Sequence, residues 1–106
     1  MTKEQLAAAI AQRVMGWTVT PDRFMTGNRG WIPRSRFRPT ERMQDAFKLL
    51  VAAEPTEYSL GGNGKRSWAK VQIGGVFGEA SDQSLPTAIC LATARALGIE
   101  VEACRG

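Results

Sequence analysis

The sequence predicts an α+β domain in which three helices cover a small, mostly antiparallel sheet. Three observations predict it. Apolar stripes at helical spacing lie within residues 3–15, 41–53 and 85–97. Short β-branched or alternating runs lie between them. In the second half these runs are joined by hairpin-length links, which makes neighbouring strands antiparallel. At 106 residues the chain is expected to form one domain, with a core that needs neither disulfides nor metals.

The first helix starts at a capping box, Thr2-Lys3-Glu4-Gln5, and places Leu6, Ile10 and Val14 on one stripe. Gly16 stands where a helix C-terminus wants a left-handed residue. Residues 17–20 (WTVT) read as a short strand stopped by Pro21. Residues 21–39 hold three prolines and two glycines and keep neither helical nor strand period, so they read as an irregular, arginine-rich loop. Within it, Trp31-Ile32 is a candidate edge strand. Thr40 is the expected N-cap of the second helix, whose buried face is read as Met43, Ala46, Phe47, Leu50 and Ala53.

Residues 57–60 and 66–73 read as two strands, and 76–80 follows as a third after Gly74-Gly75. In the middle one, Ala69, Val71 and Ile73 alternate with Trp68, Lys70 and Gln72. The last helix opens at Ser84 and Pro86 and ends at Gly98, with Leu85, Ala88, Ile89, Ala92 and Ala96 facing the core. The tail IEVEACRG reads as a final edge strand or a frayed end. Helices on both faces of the sheet are expected, because Trp68 needs cover too.

Three segments carry a family resemblance. Val14-Met15-Gly16-Trp17 closes the first helix, Phe37-Arg38-Pro39-Thr40 leads toward Asp45-Ala46-Phe47, and residues 86–92 (PTAICLA) open the last helix. Together they resemble the phage ABA sandwich domain family of small phage and prophage proteins, over nearly the whole chain. The resemblance implies a three-layer α/β/α sandwich and a phage or prophage origin. It brings no catalytic motif. Two features depart from the family pattern: the segment from Asp22 to Arg36 is longer and richer in arginine, and the second helix begins RPTERM rather than with serine or threonine plus aspartate.

The charge is unevenly placed. The chain carries fourteen bases and ten acids, and seven of those bases against three acids fall between Pro21 and Lys48, so the whole excess of +4 is local. Arginine outnumbers lysine ten to four, which favours planar, bidentate contact with phosphate or carboxylate. If residues 34–38 (RSRFR) are extended, Arg34, Arg36 and Arg38 share one side. With Arg29 and Trp31 nearby they could hold phosphates and stack a base. Lys65 and Arg66, at the end of GGNGKR, are further candidate ligand residues. That glycine-rich stretch lacks the spacing of a phosphate loop and reads first as a hairpin turn.

Other chemistry is excluded or unsupported. There is no histidine, which removes the commonest general base and metal ligand. Cys90 falls within an apolar helical pattern and reads as a small buried hydrophobe, and Cys104 stands alone in the tail. No apolar run reaches membrane-spanning length, and neither cofactor nor metal is implied. The leading expectation is a non-catalytic, cytoplasmic protein that binds a phosphorylated small molecule, such as a nucleotide-type defence signal, as a homo-oligomer. Nucleic-acid binding through the same arginines, with strong salt dependence, is the second reading. The third is an adaptor that inhibits a host protein with an acidic surface.

Overall fold

The computed structural model describes residues 2–27 and 30–99. Helix α1 spans Lys3–Ile10 and continues as a wider π-helical turn, Ala11–Met15. Thr2 and Gln5 form the expected capping box, with bonds of 3.1 and 2.9 Å. Gly16 closes the helix in the left-handed region (φ 68°), where a side chain would be strained.

The α+β class holds, with two three-stranded antiparallel sheets among the described residues in place of one. The first sheet comprises β1 (Thr18–Val19), β2 (Arg23–Gly27) and β3 (Gly30–Pro33). It corrects the reading of 21–39 as irregular. Phe24 pairs with Ile32 and Met25 with Trp31, so each strand keeps its alternation for too few residues to stand out in the sequence. Phe24 points inward and joins Trp17 and Phe37 in an aromatic trio, with ring centroids 5.1–5.7 Å apart. Each such pair contributes about 0.5–1.5 kcal/mol beyond its burial. The trio fixes the sheet to the end of the first helix and to the segment leading into the second.

Helix α2 spans Met43–Ala52, two residues later than expected at its start. Thr40 does not cap it; Arg42 holds the cap position without a side-chain bond. Thr40 is buried instead, and its carbonyl accepts from the Thr87 hydroxyl at 2.8 Å and the Ser84 hydroxyl at 3.4 Å. The buried face of α2 is Ala46, Leu49 and Leu50, while Met43 is exposed.

The second sheet comprises β4 (Glu57–Gly62), β5 (Ser67–Ile73) and β6 (Val76–Asp82) in sequential order. Helix α3 (Leu85–Ala96) lies on β5 and β6, with α1 and α2 packed against the helix itself. It is therefore covered on nearly all sides: nine of its residues are buried, including Thr87 and Thr93. Their hydroxyls donate to the carbonyls of Thr40 and Ile89, so neither burial leaves a polar group unsatisfied. The sequence shows a stripe because alanines on the remaining sides carry little apolar signal.

Alternation puts Ala69, Val71, Gly78 and Ala80 under α3. The opposite face carries Trp68, Lys70, Gln72, Phe77 and Glu79. The cover expected for Trp68 is absent among the described residues: the residue is 46% exposed, and its ring lies against Gly61, where an added methyl would collide with it. The tail expectation, residues 100–106, and with it Cys104, lies outside the described residues. Cys90 is buried in the core, as read from its pattern.

Candidate functional site

The segment after β3 positions the basic residues. Pro33 ends the strand, and Arg34–Arg36 form a single 3₁₀ turn before Phe37 returns to extended backbone. This overturns the extended reading in which Arg34, Arg36 and Arg38 share one side, because residues two apart in such a turn point in different directions. The three arginines have three different settings.

Arg34 is half-buried. Its guanidinium donates to the backbone carbonyls of Thr20 (3.4 Å) and Glu4 (3.3 Å), and lies over Phe24 at 5.5 Å. It thus ties the start of α1 to the β1–β2 turn. Arg38 is about half exposed and pairs with Glu41 at 3.2 Å, while its own N–H donates to Asp45 at 2.9 Å. Arg36 is exposed and, among the described residues, makes no ion pair.

Arg34 and Arg38 open onto one groove of about 370 Å³, between the first turn of α1, Pro21 and residues 34–41. Lys3 joins them from α1. Phe24, Phe37 and Ala7 contribute its apolar wall, and Glu4 and Glu41 are also on its rim. The groove therefore has three cations and two carboxylates. Sequence reasoning found Arg34 and Arg38 but missed Lys3, which lies more than thirty residues away in the chain. No local signal marks it.

The remaining predicted residues lie elsewhere. Arg29 falls outside the described residues. Trp31 is 51% exposed on β3, with the Arg23 guanidinium stacked over its ring at 4.4 Å. Arg23 also forms a two-bonded pair with Asp22 (2.9 and 3.2 Å). That pair, helped by the Thr20 hydroxyl, lowers the Asp22 carboxyl below its ordinary value and raises Arg23. Lys65 and Arg66 are in the β4–β5 turn. There Asn63 accepts from both of their N–H groups, at 3.0 and 2.9 Å, as a hairpin turn requires. Arg66 reaches across to Ser81. Neither residue lines the groove.

No cluster of three metal-ligating side chains occurs among the described residues, and none of their helices is long and apolar enough to cross a membrane.

Comparison with known proteins agrees with this architecture. Residues 8–94 match the family described as the Phage ABA sandwich domain. That match covers most of the chain, which therefore belongs to this family of phage proteins. The fold is also similar to the 2.0 Å crystal structure of a phage protein from Bacillus cereus ATCC 14579. The two share 15% identity at a TM-score of 0.77, over 96% of this chain and 93% of the other. No curated protein matches the chain.

Proposed function

We propose that this member of the phage ABA sandwich domain family is a non-catalytic binding protein that takes a small phosphate-bearing ligand in the groove beside Arg34 and Arg38. The observation that carries the reading is the meeting of Lys3, Arg34 and Arg38 on one concave surface with an aromatic wall. A volume near 370 Å³ lies at the lower end of the range for small-molecule sites. Arg34 is held by two carbonyls, so its position is set before any ligand arrives, and pre-set charges lose less freedom on binding. Arg38 is available by exchange, because a phosphate can replace the half-exposed Glu41 as its partner. A nucleotide-type signal of antiviral defence, sequestered in the host cytoplasm, is the ligand class that fits a phage protein of this kind.

Native mass spectrometry tests the reading with nucleoside monophosphates, cyclic dinucleotides and inorganic phosphate as probes. Retention of a phosphorylated compound by the wild-type chain, and its loss in Lys3→Gln/Arg38→Gln, supports it. Those two exposed or partly exposed positions leave the Arg34 clamp intact, so folding is preserved. Undiminished retention in the double variant removes the groove from the mechanism. Binding of duplex DNA that falls by about 0.9 log unit per log unit of salt for each phosphate neutralised, without retention of any nucleotide, replaces it with the nucleic-acid reading.

A further inference from the structure

We propose that the groove beside Arg34 and Arg38 selects a singly charged phosphate, of the kind found in a phosphodiester or a cyclic nucleotide, and that Glu4 and Glu41 turn away more highly charged phosphates. This rests on the ligand reading above and narrows it to a ligand class. Lys3, Arg34 and Arg38 meet the carboxylates of Glu4 and Glu41 around one groove, which leaves a single positive charge in excess among the described lining residues. Sites that hold di- and triphosphates answer the extra charge with further cations or bound metal ions.

The donors point the same way. Arg34 has turned its guanidinium toward the carbonyls of Thr20 and Glu4, so its charge reaches the groove while two of its N–H groups are already engaged. Arg38 is left as the arginine whose planar fork can close on a phosphate once Glu41 is displaced, with Lys3 as a point charge in the same groove. One fork and one ammonium suit one phosphate group.

The acids stay close after binding. Glu41 lies 3.2 Å from the Arg38 guanidinium, so a phosphate that takes its place remains a neighbour of the displaced carboxylate. Glu4 is exposed and makes no ion pair among the described residues, and the bond from Arg34 holds its backbone at the groove. A carboxylate on the rim of an anion site weakens every anion, and the most highly charged one most. Each further negative charge placed within about 7 Å of a carboxylate lowers affinity about threefold in water, and more where solvent is partly excluded. This is discrimination by repulsion. Nucleoside triphosphates share base and sugar with any nucleotide signal, so charge is a property by which the two can be told apart.

Titration calorimetry on the full chain, at fixed low salt and without magnesium, tests the proposal with cyclic AMP, AMP and ATP. The three share adenosine and differ in charge: a diester carries one negative charge, a monoester about −1.5 to −2 at neutral pH, and a triphosphate more. The expected order of affinity is cyclic AMP, then AMP, then ATP, with at least about threefold between neighbours. Glu4→Gln/Glu41→Gln keeps the Glu4 carbonyl that holds Arg34; it should raise ATP affinity by about tenfold or more, raise cyclic AMP much less, and so collapse the order. An unchanged circular dichroism spectrum checks the fold of that variant. Binding that is lost in Lys3→Gln/Arg38→Gln but favours ATP in the wild type, or that keeps the wild-type order in the double glutamine variant, overturns charge selection and leaves the groove as a phosphate site. ATP affinity that rises above that of cyclic AMP when magnesium is added also overturns it, since the two carboxylates would then be holding the cation. Binding of none of the three, or binding indifferent to Lys3→Gln/Arg38→Gln, overturns the groove reading and this inference together.

Discussion

Gly78 sets the distance between α3 and the sheet, and replacing it with alanine should move the helix. A methyl on Gly78 would fall inside contact distance of the Ala92 carbonyl oxygen, 2.5 Å from the Ala96 nitrogen and 3.1 Å from the Ala96 Cβ. The first two are backbone atoms of α3, so no side chain can swing away to make room. The glycine does not have a positive φ, so alanine brings no conformational strain of its own. It should in fact stabilise by about 0.4–1 kcal/mol through the unfolded chain. Against this stands the cost of overpacking, about 1–3 kcal/mol and here at its upper end, because the whole of α3 must lift from Ala69, Val71 and Ala80. The net expectation is a loss of about 2 kcal/mol. In a urea titration followed by tryptophan fluorescence this lowers the midpoint by about 1 M or more, taking a slope of about 1–2 kcal/mol/M. Gly62→Ala is the control: its methyl would meet Ser67 Oγ at 3.3 Å and the Arg66 carbonyl at 3.4 Å, near the sheet edge, and should change stability by under about 0.5 kcal/mol. If Gly78→Ala is as stable as wild type, the helix is not seated on that glycine and the packing argument fails.

Two further outcomes are expected. Glu41→Gln should tighten retention of a phosphorylated probe by up to about fivefold, because it removes an internal competitor for Arg38 whose half-exposed pair is worth about 0–1 kcal/mol; titration calorimetry with both proteins checks this, and weaker binding would remove Arg38 from the site. Asp22 has a folded pKa below its ordinary 3.8, so its pairing with Arg23 stabilises the fold above that value and the contribution is lost as pH falls through the lower folded value. Asp22→Asn should therefore be slightly less stable than wild type at neutral pH and converge with it in acid. Thermal melts across that range measure the difference, and a gap that widens toward low pH would contradict the sign.

Much of the fold was legible because its elements carry their own period or punctuation. The capping box at Thr2 and Gln5 is complete within four residues, and Gly16 and Gly98 both take the positive φ that ends a helix. β5 shows alternation over seven residues, long enough to fix its inner face. What was not legible depends on contacts between distant segments. Thr40 has the composition of an N-cap, yet its carbonyl is claimed by Thr87, forty-seven residues on, and the helix begins at Met43 instead. The β2–β3 hairpin could have been suspected from the Gly-Asn-Arg-Gly stretch between two short apolar pairs, a turn signal that the surrounding prolines and arginines obscured.

The arginine run shows why composition indicated charge but not arrangement. Spacing alone made three neighbouring guanidiniums a single clamp. The 3₁₀ turn after Pro33 separates them, and each then answers to whatever lies beside it in space. Arg34 finds two backbone carbonyls, fourteen and thirty residues away in sequence, and becomes part of the scaffold. Arg38 finds Glu41 and keeps an exchangeable partner, while Arg36 remains outside the groove. The missing third cation comes from Lys3, at the opposite end of the same contact that holds Arg34 to α1. The element that anchors Arg34 is thus also the one that delivers Lys3. Loosening the Arg34 clamp should cost the groove two of its three positive charges together, which is why the ligand test leaves that residue intact.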